Sequence, residues 1–141
     1  MSGKNIVISA MIIVMAASSF TNRTTNQGDL KAAIERGSKV YETYCLSCHM
    51  QDGSGVPGMN PPLTKTKWVL GPKKTLTELL LKGLTGEIEV NGDYYDNVMP
   101  SQSYLKDQEL ADVMTFIRNS FGNKASGVAV AEVKKWRAAV K

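Results

Sequence analysis

The chain contains two cysteines and one histidine, and all three fall within five consecutive residues, Cys45-Leu46-Ser47-Cys48-His49. Thiols three positions apart share one face of a helical turn, and the next residue lies just below them. Such a pair can form thioethers with the two vinyl groups of a haem, leaving the neutral imidazole of His49 to bind its iron. Read this way, the motif obliges the rest of the chain to wrap a large planar group. Rival readings account for less. A thioredoxin-like redox pair needs strand-helix-strand context, which the surrounding pattern lacks. A zinc site would have three ligands and want a fourth. A plain disulfide explains neither His49 nor the glycine- and proline-rich stretch that follows.

A length of 141 residues allows one compact domain. Two cysteines cannot build a disulfide framework, and a single histidine excludes sites that gather several imidazoles around a metal. Lys4 followed by an apolar run over residues 6–17 and small residues at 16–19 reads as a secretory signal peptide over residues 1–19. Twelve helical residues span roughly 18 Å, short of a hydrocarbon core of ~30 Å. Export to the periplasm follows, with no stable membrane insertion once the signal is cleaved; an uncleaved segment would tether the domain to the membrane. In an oxidising compartment Cys45 and Cys48 would not stay idle thiols, and haem attachment consumes both.

Residues 20–28 are polar and aperiodic and read as a flexible lead-in. From Asp29 a helix is expected, with Leu30, Ala33, Ile34, Gly37, Tyr41 and Tyr44 near one face and the two cysteines closing it. Residues 51–63 hold too much glycine and proline for a regular element. A second helix is expected over Leu76 to Lys82, with Thr75 and Glu78 as a capping box and Gly83 as the stop. Asn91-Gly92 between two short extended runs signals a hairpin, because both central residues of such a turn take positive φ. A third helix runs from Asp107 to about Ser120 on the stripe Leu110, Val113, Met114, Ile117 and Phe121, stopped by Gly122 and Asn123. In the extension 126–141, Val133, Trp136 and Val140 keep helical spacing, so a short amphipathic helix should pack through Trp136.

With no second histidine, the sixth iron ligand has to come from elsewhere. Met50 adjoins His49 and cannot reach the other haem face, Met59 follows too soon, and Met114 belongs to a core stripe. Met99 lies fifty residues past His49, beyond the hairpin and next to the stiffening Pro100. A thioether opposite an imidazole favours ferrous iron and leaves no open position for oxygen or peroxide.

With these motifs in order, the chain resembles the class I cytochromes c, specifically bacterial periplasmic monohaem domains. The resemblance rests on Cys45-Leu46-Ser47-Cys48-His49, Gly53-Ser54-Gly55-Val56-Pro57-Gly58, Pro61-Pro62-Leu63, Val98-Met99-Pro100 and the run 110–120, and it covers about residues 30–125. It implies an all-α fold: three main helices around a covalently bound haem, a small β-hairpin before the axial methionine, and a short C-terminal helix. The domain so implied spans residues 29–125. The family places a small residue and an aromatic on the first helix, here Gly37 and Tyr41, against Val113 and Phe116 on the last. It also implies that the carbonyl of Pro61 accepts the Nδ1 proton of His49, and that Trp68, with Tyr95, contacts the haem propionates. One departure is Lys106 where the family often has a Ser or Thr cap, at a typical cost of ~1 kcal/mol.

The formal charge of +4 falls to +3 if Lys4 leaves with the signal. Lys65, Lys67, Lys73, Lys74 and Lys82 bunch together, followed by Glu87, Glu89, Asp93 and Asp96. This uneven layout can orient a redox partner in a salt-sensitive encounter and carries no nucleic-acid motif. The reading is a monohaem electron carrier, not an enzyme, holding one haem c through Cys45 and Cys48 with His49 and Met99 on the iron. Its partners would be an oxidase, a reductase or a dehydrogenase. Two alternatives stand beside it: a cytochrome subunit bound to a periplasmic dehydrogenase, and a haem peroxidase or sensor with a displaceable sixth ligand.

Overall fold

The computed structural model describes residues 21–140. Residues 1–19, expected to be a signal peptide, lie outside them. In chain order the elements are α1 (Thr21–Tyr44), α2 (Leu46–His49), α3 (Lys67–Leu70), α4 (Lys73–Lys82), β1 (Ile88–Val90), β2 (Asp93–Tyr95), α5 (Asp107–Asn119) and α6 (Val130–Ala139). Among the described residues the architecture is all-α apart from one antiparallel hairpin.

Helix α1 begins at Thr21, so the expected lead-in 20–28 is helical from residue 21 onward. Elongating an existing helix adds one hydrogen bond per residue fixed and needs no apolar stripe, which is why periodicity missed this part. The helix stops at Tyr44 rather than running through both cysteines, and α2 carries Cys48 and His49 on a separate short turn.

The contact that organises the fold is α1 against α5. Gly37 lies under the backbone of α5, where a Cβ would collide with the carbonyl of Asp112 and approach Phe116 Cβ at 2.7 Å. The missing side chain lets the two backbones close together. Beside it, Arg36 donates two hydrogen bonds to the buried Asp112 carboxylate at 2.7 and 2.8 Å, and Gln108 donates to the same group at 3.0 Å. Tyr41 packs its ring 5.3 Å from both Phe116 and Phe121, as tilted pairs. Leu110, Val113, Met114 and Ile117 form the buried stripe of α5.

Helix α4 starts at Lys73, about one turn before the expected Leu76. Pro72 occupies its N-cap, where a missing N–H costs nothing and the fixed φ suits helix entry. Glu78 pairs instead with Lys74 at 3.0 Å across one turn. The hairpin pairs Ile88 with Tyr95 and Val90 with Asp93, and its turn residues Asn91 and Gly92 take φ of 56° and 95°. The N–H of Lys106 is accepted by Glu109 Oε2 at 2.8 Å, so α5 recovers part of the cap that a lysine cannot supply.

Helix α6 shares the core of α4 and α5. Its fully buried anchor is Val133, with Trp136 and Val140 only partly covered, so the expected docking through Trp136 is secondary. A helix this short presents one residue per turn squarely to its neighbours, and Val133 holds that place. Polar ties finish the attachment: Lys73 to Glu132 at 3.1 Å, and Arg137 to Asp107 at 2.6 Å.

Candidate haem-binding site

The last turn of α1 runs into the motif without losing its hydrogen bonding. Cys45 N donates to Tyr41 O at 2.9 Å, and both Cys48 N and His49 N donate to Cys45 O, at 3.2 and 3.0 Å. The two thiols thus lie one turn apart, Cys45 half-buried and Cys48 exposed, and they are not joined as a disulfide. Burial, with the nearby Cys48, pushes the Cys45 thiol up to about 11. Among the described residues no cluster of three or more His, Cys, Asp or Glu side chains is arranged to hold a metal ion.

His49 is buried, and desolvation lowers its pKa against the opposing effect of a backbone hydrogen bond. That bond joins Nδ1 to the carbonyl oxygen of Pro61 at 3.0 Å. A carbonyl can only accept, so Nδ1 carries the proton and Nε2 keeps its lone pair for a ligand. The loop between the two residues is shaped by glycine. Gly55 sits at φ 67°, and a Cβ there would stand 2.6 Å from the Pro61 oxygen. Gly55 N also donates to His49 O at 3.1 Å. A side chain at this position would displace the carbonyl that orients the imidazole.

Met99 is held by its backbone. It exchanges two hydrogen bonds of 2.9 Å with Leu84 across the chain, and Gly83, at φ 75°, leaves room for the Met99 carbonyl. Neither Leu84 nor Gly83 carried a site signal in the sequence beyond the helix stop.

One open cleft gathers Cys45, Cys48, His49, Pro61, Trp68 and Met99 on its walls. Leu63, Val69, Leu76, Leu80, Leu84, Val90, Val113 and Ile117 give the walls much of their apolar surface, and among the described residues none that lines the cleft carries a formal charge. Of the methionines considered, Met50 and Met59 are exposed, and Met114 is fully buried in the core beside the Thr77 hydroxyl at 3.4 Å. Met99 alone among these four lines the cleft. Trp68 gives its indole N–H to the Glu89 carbonyl at 3.3 Å, so it ties the wall to the hairpin and presents its ring to the cleft. Tyr95 lines the same wall and is buried. The donor set fits a haem: two thiols, an imidazole with a free lone pair and a thioether around an uncharged, apolar slot.

Comparison with known proteins points to the same cofactor. The family model described as cytochrome c matches residues 34–121. A relative named cytochrome c-552, from Thermus thermophilus, is 41% identical over 120 residues, covering 79% of this chain and 80% of its own. The cytochrome c subunit of an alcohol dehydrogenase (quinone) from Gluconobacter oxydans is 35% identical over 105 residues, 72% of this chain but 22% of that subunit. The cytochrome c subunit of gluconate 2-dehydrogenase from Pantoea cypripedii is 35% identical over 103 residues, 70% of this chain and 23% of that one.

Proposed function

This chain belongs to the cytochrome c family and binds haem c through its cysteine pair, and on that premise we propose that it is a periplasmic one-electron carrier with His49 and Met99 as axial ligands. The bound haem supplies a ferric/ferrous couple. Every other part of the function rests on what the chain holds still. The Pro61 carbonyl keeps the His49 ring in one tautomer and one orientation. The Leu84 bridge pins the Met99 backbone. Two ligands with fixed supports can stay in place in both oxidation states, which keeps the reorganisation on transfer small. The uncharged lining excludes water and favours the state of lower net charge. Cys48, exposed at the surface, marks the edge at which a partner's redox group can approach.

The observation that carries the reading is the single cleft shared by Cys45, Cys48, His49 and Met99, residues spread over more than fifty positions. A second reading, a cytochrome subunit working inside a dehydrogenase, draws on the 35% identity to two such subunits. Both place this chain among redox proteins as partners. Potentiometric titration of the haem-loaded protein, followed in the visible spectrum, tests the carrier reading. A single one-electron step is expected, with the ferrous form failing to bind carbon monoxide. Ready carbon monoxide binding would point instead to a peroxidase or sensor with an open sixth site.

A further inference from the structure

Asn123 lies four residues beyond the end of α5, and its carboxamide is buried with every polar atom in use. Nδ2 donates to the carbonyls of Leu63 at 2.9 Å and Ile117 at 2.7 Å, while Oδ1 accepts from the N–H of Lys65 at 2.8 Å. The partners fix which way the amide faces, since carbonyls meet its nitrogen and an N–H meets its oxygen. Residues 61–65 form a strap fastened on two sides. Leu63 N–H donates to Gly53 O at 2.8 Å, and its carbonyl is taken by Asn123. Lys65, in the left-handed region at φ 51°, turns its N–H toward the same side chain. Two residues upstream of Leu63 is the Pro61 carbonyl that meets His49.

We infer that Asn123 is a positioning residue for His49: by clamping Leu63 and Lys65 to the end of α5, it sets where the Pro61 carbonyl stands and so how strongly the imidazole donates. The inference rests on His49 being an axial ligand. A carbonyl that accepts the Nδ1 proton raises electron density at Nε2. When the strap drifts, that bond lengthens, the imidazole becomes a weaker donor, and the ferric state loses more than the ferrous.

The test uses haem-loaded protein with Asn123→Ala, with Asn123→Ser as the milder variant that keeps one donor should the alanine protein fail to accumulate. Arg36→Ala is the reference, because it loosens the α1–α5 contact away from the strap. Expected for Asn123→Ala is an upward shift of reduction potential together with faster solvent exchange of the His49 Nδ1 proton, and for Asn123→Ser a smaller shift of the same sign. Arg36→Ala should lower Tm while leaving potential and exchange unmoved. An unchanged potential and exchange rate in the Asn123 variants, even with a lower Tm, would overturn the inference. A wild-type spectrum without His49 on the iron would overturn the axial-ligand reading, and this inference with it.

Discussion

Gly37 lies directly beneath the backbone carbonyl of Asp112, with Phe116 Cβ at 2.7 Å from the position a side chain would start from. The obstructing atoms belong to a helix backbone and a Cβ, neither of which can swing away as a side-chain tip could. Gly37→Ala should therefore push α1 off α5 and destabilise the fold by about 1–3 kcal/mol. Chemical denaturation should show a lower midpoint with the slope unchanged; a midpoint equal to wild type would mean the crossing yields more readily than its geometry implies.

Arg137 ties the C-terminal helix to the segment that follows Met99. It donates to Asp107 Oδ1 at 2.6 Å, to Ser103 O at 2.8 Å and to Leu105 O at 2.6 Å. Arg137→Ala removes all three, and with the side chain partly solvated the loss should be about 1–3 kcal/mol. Arg137→Lys should recover little of it, because an ammonium lacks the planar fork that reaches two carbonyls and a carboxylate together. Equal stability of the lysine variant and wild type, by thermal unfolding, would contradict this.

The attachment of α6 should also weaken in acid. The Ala129 N–H bond, at 2.9 Å, and Lys73, at 3.1 Å, hold the Glu132 carboxyl below its ordinary value of 4.5. A depressed folded pKa contributes stability above the unfolded value, and that contribution is lost as pH falls through the folded one. At neutral pH Glu132→Gln should melt below wild type, and the gap should close on acidification below about pH 4.5. A gap that persists in strong acid would show that the charge is not its origin.

Replacing Met99 with alanine should separate attachment from ligation. The colour should stay with the polypeptide through acid-acetone extraction, because the thioethers are untouched. The oxidised spectrum should change and the reduction potential should fall, since a thioether opposite imidazole favours ferrous iron. An oxidised spectrum identical to wild type would remove Met99 from the iron.

Local chemistry made several elements legible. Asn91-Gly92 needs positive φ at both residues and takes it, so the hairpin is where the turn chemistry put it. The stripe of α5 and the stop at Gly83 follow from spacing and from glycine's freedom in the same way. Boundaries set by something other than an apolar stripe were hidden. Helix α1 reaches back to Thr21 by elongation alone, and α4 opens at Pro72 rather than at a capping box. The short α3 was not anticipated: Thr66 caps it through Val69 N at 3.1 Å, in a run that carries no helical periodicity.

Two thiols and an imidazole within five residues identify the attachment site without any distant partner. Met99 could be narrowed by chain length and by its proline, both local facts. How those groups are held depends on contacts that form only in the folded chain. Asn123 reads in sequence as a helix stop beside Gly122, yet its carboxamide reaches Leu63 and Lys65 about sixty residues away. Trp68 lines the cleft, and its N–H is tied to the Glu89 carbonyl of the hairpin, a tie its place in the sequence does not show. Covalent chemistry is written in neighbouring residues; hydrogen bonds between segments far apart in the chain exist only once folding has brought their backbones within 3 Å or so of a donor.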